Sequence, residues 1–286
     1  MMRLALVLSL VITAALPAQA PQVRGARAAS TVAIRLHVPA GTVEVIGWDR
    51  DSVALVATPA RGTSVDGGGT LQGMKFAAEL RNPRDTGLAT ARVRLHVPRM
   101  AKVWLKSTTA SLATHGVYGE VDFLTVSGSA SVESGSGILR VESIEGDVTA
   151  RRMDGIIRVR GGSGNVQLDA VTGTLDIATI GGAVGVTRVT APSGGGPPGT
   201  SLSGHIETIG GRVTVGGAPG SGGLIEIATH SGDIRILTSG AKAPRLVAEA
   251  HMGPIAPAFR AGDPAFGEFR VRSFKGTLNA EHWSGI

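Results

Sequence analysis

Gly119, Gly128, Gly137, Gly146, Gly155, Gly164, Gly173 and Gly182 form an unbroken nine-residue series. Read without gaps, the units are GEVDFLTVS, GSASVESGS, GILRVESIE, GDVTARRMD, GIIRVRGGS, GNVQLDAVT, GTLDIATIG and GAVGVTRVT. Glycine makes up 42 of 286 residues, too few to fill eight consecutive positions of one period by chance. Two places after each glycine stand Val121, Ala130, Leu139, Val148, Ile157, Val166, Leu175 and Val184. Four places after stand Phe123, Val132, Val141, Ala150, Val159, Leu168, Ile177 and Val186. All are apolar, which is a period-two strand pattern with one buried face. Each unit therefore reads as one short strand followed by a turn at the next glycine, where positive φ costs glycine little. No unit can bury its apolar face alone, whereas stacked units can. The fold expected is all-β: a parallel β-solenoid, or β-helix, built on G-x-[VIL]-x-[VIL] units.

The outward positions suggest how many units make one coil. Asp122, Arg140, Arg158 and Asp176 follow alternate glycines by three places, and Glu142 and Arg160 follow them by five. Glu133, Arg151 and Asp169 follow the intervening glycines by five. With eighteen residues, or two units, per coil, these become columns on neighbouring parallel strands. Opposite charges then mostly face each other, apart from Arg140 and Arg158. A nine-residue coil would be cramped, and the period alone leaves it open. A calcium-binding roll with the pattern G-G-x-G-x-D-x-U-x fits worse. Its closest stretch, GGSGNVQLD from Gly161, has Val166 where the calcium-ligating Asp is needed.

The flanks differ from the series. Residues 31–115 hold two longer units, IRLHVPAGTVEVIGWDRDSVALVAT from Ile34 and VRLHVPRMAKVWLKSTTASLAT from Val93. They place His37 and His96 in equivalent positions, and Trp48 and Trp104 in corresponding strand pairs; Pro39 and Pro98 end the first strand of each. RGTSVDGGGT from Arg61 reads as a loop between them. This section is expected to cap the open first coil, after a linker at 21–30. The repeat region extends over 116–240 and carries Gly/Pro-rich insertions at 191–204 and 216–222; 241–286 is expected to be a capping tail.

The first twenty residues, MMRLALVLSLVITAALPAQA, read as a secretory signal peptide. Arg3 supplies the positive end, Leu4 to Leu16 the apolar core, and Ala18-Gln19-Ala20 the small-residue cleavage site. That apolar run is short for a spanning helix, which needs ~20 residues. Cleavage after Ala20 would make the mature chain periplasmic or extracellular. The sequence has no cysteine, so neither disulfides nor thiolate metal sites are available. Its formal charge of +6 could favour anionic partners, which for an exported protein means envelope polymers.

The opening GTVEVIGWDRDSVALVAT and the S/G-x-[VIL]-x-[VIL] array that ends in SGDIRIL resemble a known family. The chain is similar, roughly from Thr31 to Thr238, to bacterial exported proteins grouped as "putative adhesin", a domain of unknown function with β-strand repeats. The resemblance implies a parallel β-helix in the cell envelope or outside the cell, and no known reaction.

Some β-helix proteins cleave polysaccharides, by means of convergent carboxylates or a base with an arginine in a groove. Asp122, Arg140, Arg158 and Asp176 could form such a row, but strand pairing explains their spacing equally well. The repeat holds one aromatic residue, Phe123, at an inward position, so sugar platforms are lacking there. No histidine pair has metal-ligand spacing. His37 and His96 read as strand residues, Trp48 and Trp104 as core anchors of the cap, and Arg151-Arg152 as a solvated turn. No nucleic-acid motif is visible. The expectation is a non-catalytic exported surface or scaffold protein that acts by multivalent contact, with no catalytic, cofactor or metal residues. Its partners would be anionic envelope polymers or another protein surface. The alternative is a carbohydrate-active lyase or hydrolase.

Overall fold

The structure, a computed structural model, describes residues 20–189, 201–238, 243–255 and 262–282. The signal peptide expected at 1–20 falls, but for Ala20, outside them, as does most of the first insertion. Among the described residues twenty-one strands join in one parallel-rich sheet that does not close. The N-terminal section supplies β1 (Gln22–Arg27), β2 (Ala33–His37), β3 (Ala40–Trp48), β4 (Ser52–Pro59), β5 (Thr63–Gly69), β6 (Gly73–Leu80), β7 (Thr90–Pro98), β8 (Lys102–Lys106) and β9 (Ser111–His115). The glycine series supplies β10 (Glu120–Thr125), β11 (Ala130–Ser143), β12 (Val148–Gly161), β13 (Val166–Thr179) and β14 (Val184–Val189). There follow β15 (Leu202–Thr208), β16 (Val213–Gly217), β17 (Leu224–Thr229), β18 (Ile234–Thr238), β19 (Arg245–Ala250), β20 (Glu268–Ser273) and β21 (Leu278–His282). No described helix is long and apolar enough to cross a membrane.

Two rows of neighbouring strands run the length of the molecule. One passes β5–β6–β2–β8–β10–β11–β12–β13–β15–β17–β20–β19. The other passes β1–β4–β7–β3–β9–β11–β12–β13–β14–β16–β18–β21. β11, β12 and β13 belong to both rows, because each is a long strand with bends inside it. From β10 to β13 the paired residues stand eighteen places apart: Val121 with Leu139, Leu139 with Ile157, Ile157 with Leu175. The inward apolar columns of the sequence are the core. Phe123, Leu139, Val159, Leu168 and Ile177 have no exposed surface.

Several sequence expectations change. The units are not each a strand and a turn: β11, β12 and β13 run through Gly137, Gly155 and Gly173, which bend the strand at φ of 90°, 131° and 102°. A Cβ on these three would also lie 2.1, 2.1 and 2.2 Å from a carbonyl oxygen of the neighbouring layer, and that second demand is the one the intervening glycines share. A Cβ on Gly146 would lie 1.9 Å from the Gly128 carbonyl oxygen, and one on Gly182 would lie 1.8 Å from that of Gly164. Close approach of stacked backbones, not positive φ, requires glycine there.

The 21–30 linker contains strand β1, which pairs antiparallel with β4. The loop from Arg61 contains β5, paired antiparallel with β6; Gly67 and Gly69 let that backbone pass Lys75 and Gly73, whose carbonyl oxygens would lie 2.0 and 2.1 Å from a Cβ. The two R-L-H-V-P segments are not equivalent. β2 lies between β6 and β8 in one row, and β7 between β3 and β4 in the other. Trp48 and Trp104 are half-buried on outer faces rather than core anchors. Trp48 lies 5.1 Å from the His96 ring and donates to the Ser52 carbonyl at 2.8 Å. Trp104 lies under Arg35. The tail adds further rungs: β20 stacks on β17 and β21 on β18, and β19 pairs with β20 beyond it.

Within each of β11, β12 and β13 a second bend is made without glycine. Ser134, Arg152 and Ala170 stand eighteen residues apart at φ of 55°, 52° and 53°. A left-handed non-glycine residue costs roughly 1–2 kcal/mol. Ala170→Gly is therefore expected to stabilise the protein by about 0.5–1 kcal/mol, even after glycine's extra unfolded-state entropy. A rise in the urea midpoint would register it; a fall would mean that the local packing of the methyl group outweighs the strain.

Candidate functional site

The turns that follow the first row of strands are built on a hydroxyl and a glycine. Gly128 donates its N–H to Thr125 Oγ1 at 3.0 Å, Gly146 to Ser143 Oγ at 2.8 Å, and Gly211 to Thr208 Oγ1 at 2.9 Å. In other turns the hydroxyl donates instead: Thr179 Oγ1 to the Gly182 carbonyl at 3.3 Å, Thr229 Oγ1 to that of Gly232 at 2.9 Å and Ser273 Oγ to that of Gly276 at 3.1 Å. These side chains are buried, so each turn satisfies its own polar groups. The residue after the hydroxyl is then forced outward.

Those outward residues form a row with Gly162, which follows Gly161 in the same column: Thr108, Val126, Ile144, Gly162, Ile180, Ile209, His230 and Phe274. Val126 is 44% exposed, Ile144 59%, Ile180 61% and Ile209 54%. Leu124 joins them from the neighbouring column at 44%. A single exposed aliphatic residue means little, whereas a contiguous row marks a contact surface. Gly162 leaves a gap between Ile144 and Ile180, and an open groove of about 690 Å³ runs past it. Lys106, Glu142, Arg160 and Glu207 rim the groove. Towards the C-terminal end the row becomes aromatic. Phe274 is stacked between His230 and His251, with ring centroids 5.0 and 5.3 Å apart.

Beside this row lies the charged face. Asp122 is opposite Arg140, Arg140 opposite Arg158, Arg158 opposite Asp176, and Asp176 opposite His205. Arg140 bonds to Glu120 and lies 3.9 Å from Asp122. Arg160 Nη2 donates to Asp176 Oδ2 at 2.7 Å. In the second row Glu133 is opposite Arg151 and Arg151 opposite Asp169, but Glu133 bonds to Arg152, whose left-handed backbone turns it that way. Arg151 and Arg152 are both exposed, within strand β12.

Two carboxyls of this face are displaced in opposite directions. Partial burial pushes Asp122 above its ordinary 3.8, opposed by Arg140 and reinforced by Glu120 and Glu142. The hydrogen bond from Arg160 holds Asp176 below it. A raised carboxyl contributes stability below pH 3.8 that is lost as pH rises through its folded value; a lowered one contributes above 3.8 and loses it as pH falls. Asp122→Asn should therefore gain stability relative to wild type as pH rises above 3.8. Asp176→Asn should fall behind wild type as pH rises towards 3.8. Urea midpoints from pH 2.5 to 6 read both; parallel curves would mean that neither carboxyl is coupled to folding. These two carboxyls are not brought together. They lie three rungs apart, about 14 Å at the ~4.8 Å strand spacing, beyond the ~5–9.5 Å of a glycosidase pair. Among the described residues no group of three or more His, Asp or Glu could hold a metal ion.

No family model and no curated protein matches the chain. Solved structures do. A "putative adhesin" from Bacteroides fragilis NCTC 9343 is 9% identical, with a TM-score of 0.41 over 93% of this chain and 99% of that one. A "putative lipid binding protein" from Parabacteroides distasonis ATCC 8503 is 14% identical, with a TM-score of 0.41 over 92% and 97%. A "putative cell adhesion protein" from Clostridium sporogenes ATCC 15579 is 9% identical, with a TM-score of 0.23 over 92% and 100%. At these values the likeness carries no argument about what this chain binds.

The apolar row was not anticipated. Its signal was present in the sequence: Val126, Ile144 and Ile180 each follow a Ser or Thr and stand seven places after Gly119, Gly137 and Gly173. A period-two reading stops at the fourth place, before the chain turns.

Proposed function

We propose that this chain is a non-catalytic β-solenoid, exported by cleavage after Ala20, that acts in the cell envelope by multivalent contact. The observation that carries the reading is the row of exposed aliphatic side chains on successive rungs, flanked by alternating charge. A repeated surface offers similar groups about every 4.8 Å, which suits many individually weak contacts with one extended partner. The surplus of positive charge favours an anionic envelope polymer, bound less well as salt rises. The raised Asp122 is the one feature that favours the alternative, a carbohydrate-active enzyme. Incubation with acidic and neutral polysaccharides decides between them, followed by reducing-end release and co-sedimentation at low and high salt. Binding without release supports contact. Release that disappears in Asp122→Asn would establish the enzyme.

A further inference from the structure

We propose that the apolar row and its charged rim dock a second copy of this chain, running antiparallel. This names one partner for the contact surface above and rests on that reading. Across six successive rungs the rim and groove read Lys106, Leu124, Glu142, Arg160, Ala178 and Glu207, one residue per strand in register. A copy turned about a two-fold axis that lies in the interface, parallel to the strands and midway between the rungs of Glu142 and Arg160, presents the same list reversed. Lys106 then faces Glu207, Leu124 faces Ala178, and Glu142 faces Arg160. Within this strip every charge meets its opposite and apolar meets apolar, which is what an isologous interface requires. The neighbouring column would set Arg140 on Arg158 and Asp122 on Asp176 under the same axis, so the contact is confined to the strip and the apolar row.

The row beside it obeys the same axis. Ile144 faces the gap at Gly162, Val126 faces Ile180, and Thr108 faces Ile209. Other registers fail. A copy in parallel sets Lys106 on Lys106 and Glu142 on Glu142. An axis through the rung of Arg160 sets that guanidinium on itself and Leu124 on Glu207. Arg160 already donates Nη2 to Asp176, and its Nη1 to backbone oxygens, yet its side chain stays 50% exposed. The strip is about 24 Å long at ~4.8 Å per rung. So short a strip is argued as a weak, transient contact rather than as a permanent dimer interface.

The lack of native cysteine makes cross-linking clean. Val126→Cys and Ile180→Cys are prepared separately in the purified protein, at exposed positions, and oxidised alone and mixed. In the antiparallel pair residue 126 meets residue 180 of the other copy, whereas 126 lies three rungs, about 14 Å, from its own equivalent. That is beyond the ~7 Å Cα separation that a disulfide spans. The mixture is expected to give at least tenfold more cross-linked dimer than either variant alone. Ile144→Asp, introduced into both, should abolish the difference while leaving circular dichroism unchanged. Equal cross-linking alone and mixed would overturn the antiparallel register. A chain that sediments as a monomer up to 500 µM would overturn self-docking. If that monomer still pelleted with an anionic polysaccharide, the contact function would stand and only the choice of partner would fall.

Discussion

Gly146→Ala is expected to destabilise the protein by more than about 3 kcal/mol, or to abolish a cooperative unfolding transition. The added Cβ would lie 1.9 Å from the Gly128 oxygen, 2.6 Å from its carbonyl carbon and 2.8 Å from Ser143 Oγ. Two of these three are backbone, and the third is the hydroxyl that holds the turn. None can move away as a flexible side chain would. Gly128 is itself stacked 1.9 Å, by the same measure, from the Ala110 oxygen, and Gly164 is 2.1 Å from that of Gly146. Relief would have to part the layers by an ångström or more, against hydrogen bonds on either side, such as that from the Val148 N–H to the Asn165 oxygen at 2.8 Å. Interiors packed this densely do not absorb such a shift cheaply. Gly181→Ala is the control: nothing lies within 4 Å of its Cβ, so its effect should stay within about 0.5 kcal/mol. Urea melts of both variants make the comparison. Similar midpoints would show that the layers are further apart than described.

Much of the fold was legible because the buried columns repeat. Val121, Leu139, Ile157 and Leu175 recur at a fixed interval, and a fixed interval of apolar residues has few structural solutions. The eighteen-residue offset was legible for a second reason: it alone sets Asp122 against Arg140 and Arg158 against Asp176. The sequence was silent where one residue type serves two physical ends. Gly137 both bends a strand at positive φ and admits the backbone of the next layer, whereas Gly146 does only the second, and both are written as the same letter. β1 and β5 were missed because QVRGAR and TSVDGGG lack an apolar alternation; antiparallel pairing with β4 and β6 supplies what side chains do not. The bend at Ala170 left no trace either, since alanine does not ordinarily mark a left-handed residue. The exposed row was the most consequential omission. Apolar residues are read as core by default, and Ile144 and Ile180 look no different from Ile157 until the turn geometry points them outward.

Val141→Asp tests which way the strand faces, and its expected effect is the loss of more than about 4 kcal/mol, enough to unfold most of the protein. Val141 is 1% exposed and stands in register between Phe123 and Val159, neither of which has any exposed surface. A carboxylate placed there has no cation within its own layer's inward face, and its hydration would be lost on folding. Protonation would lessen the penalty but would still leave a hydroxyl and a carbonyl oxygen among side chains that offer no partner. The adjacent residue should behave differently. Arg140 lies on the outer face with its side chain 33% exposed, bonded to Glu120 and near Asp122, but also opposite the like charge of Arg158. Arg140→Ala removes attraction and repulsion together, so less than about 1 kcal/mol should be lost. Two adjacent residues with effects that differ at least fourfold are what a strand with one buried face demands, and denaturant melts measure both. If the larger loss came instead from Arg140→Ala, the strand would be turned over, and the outward columns assigned to contact would be the ones that hold the layers together.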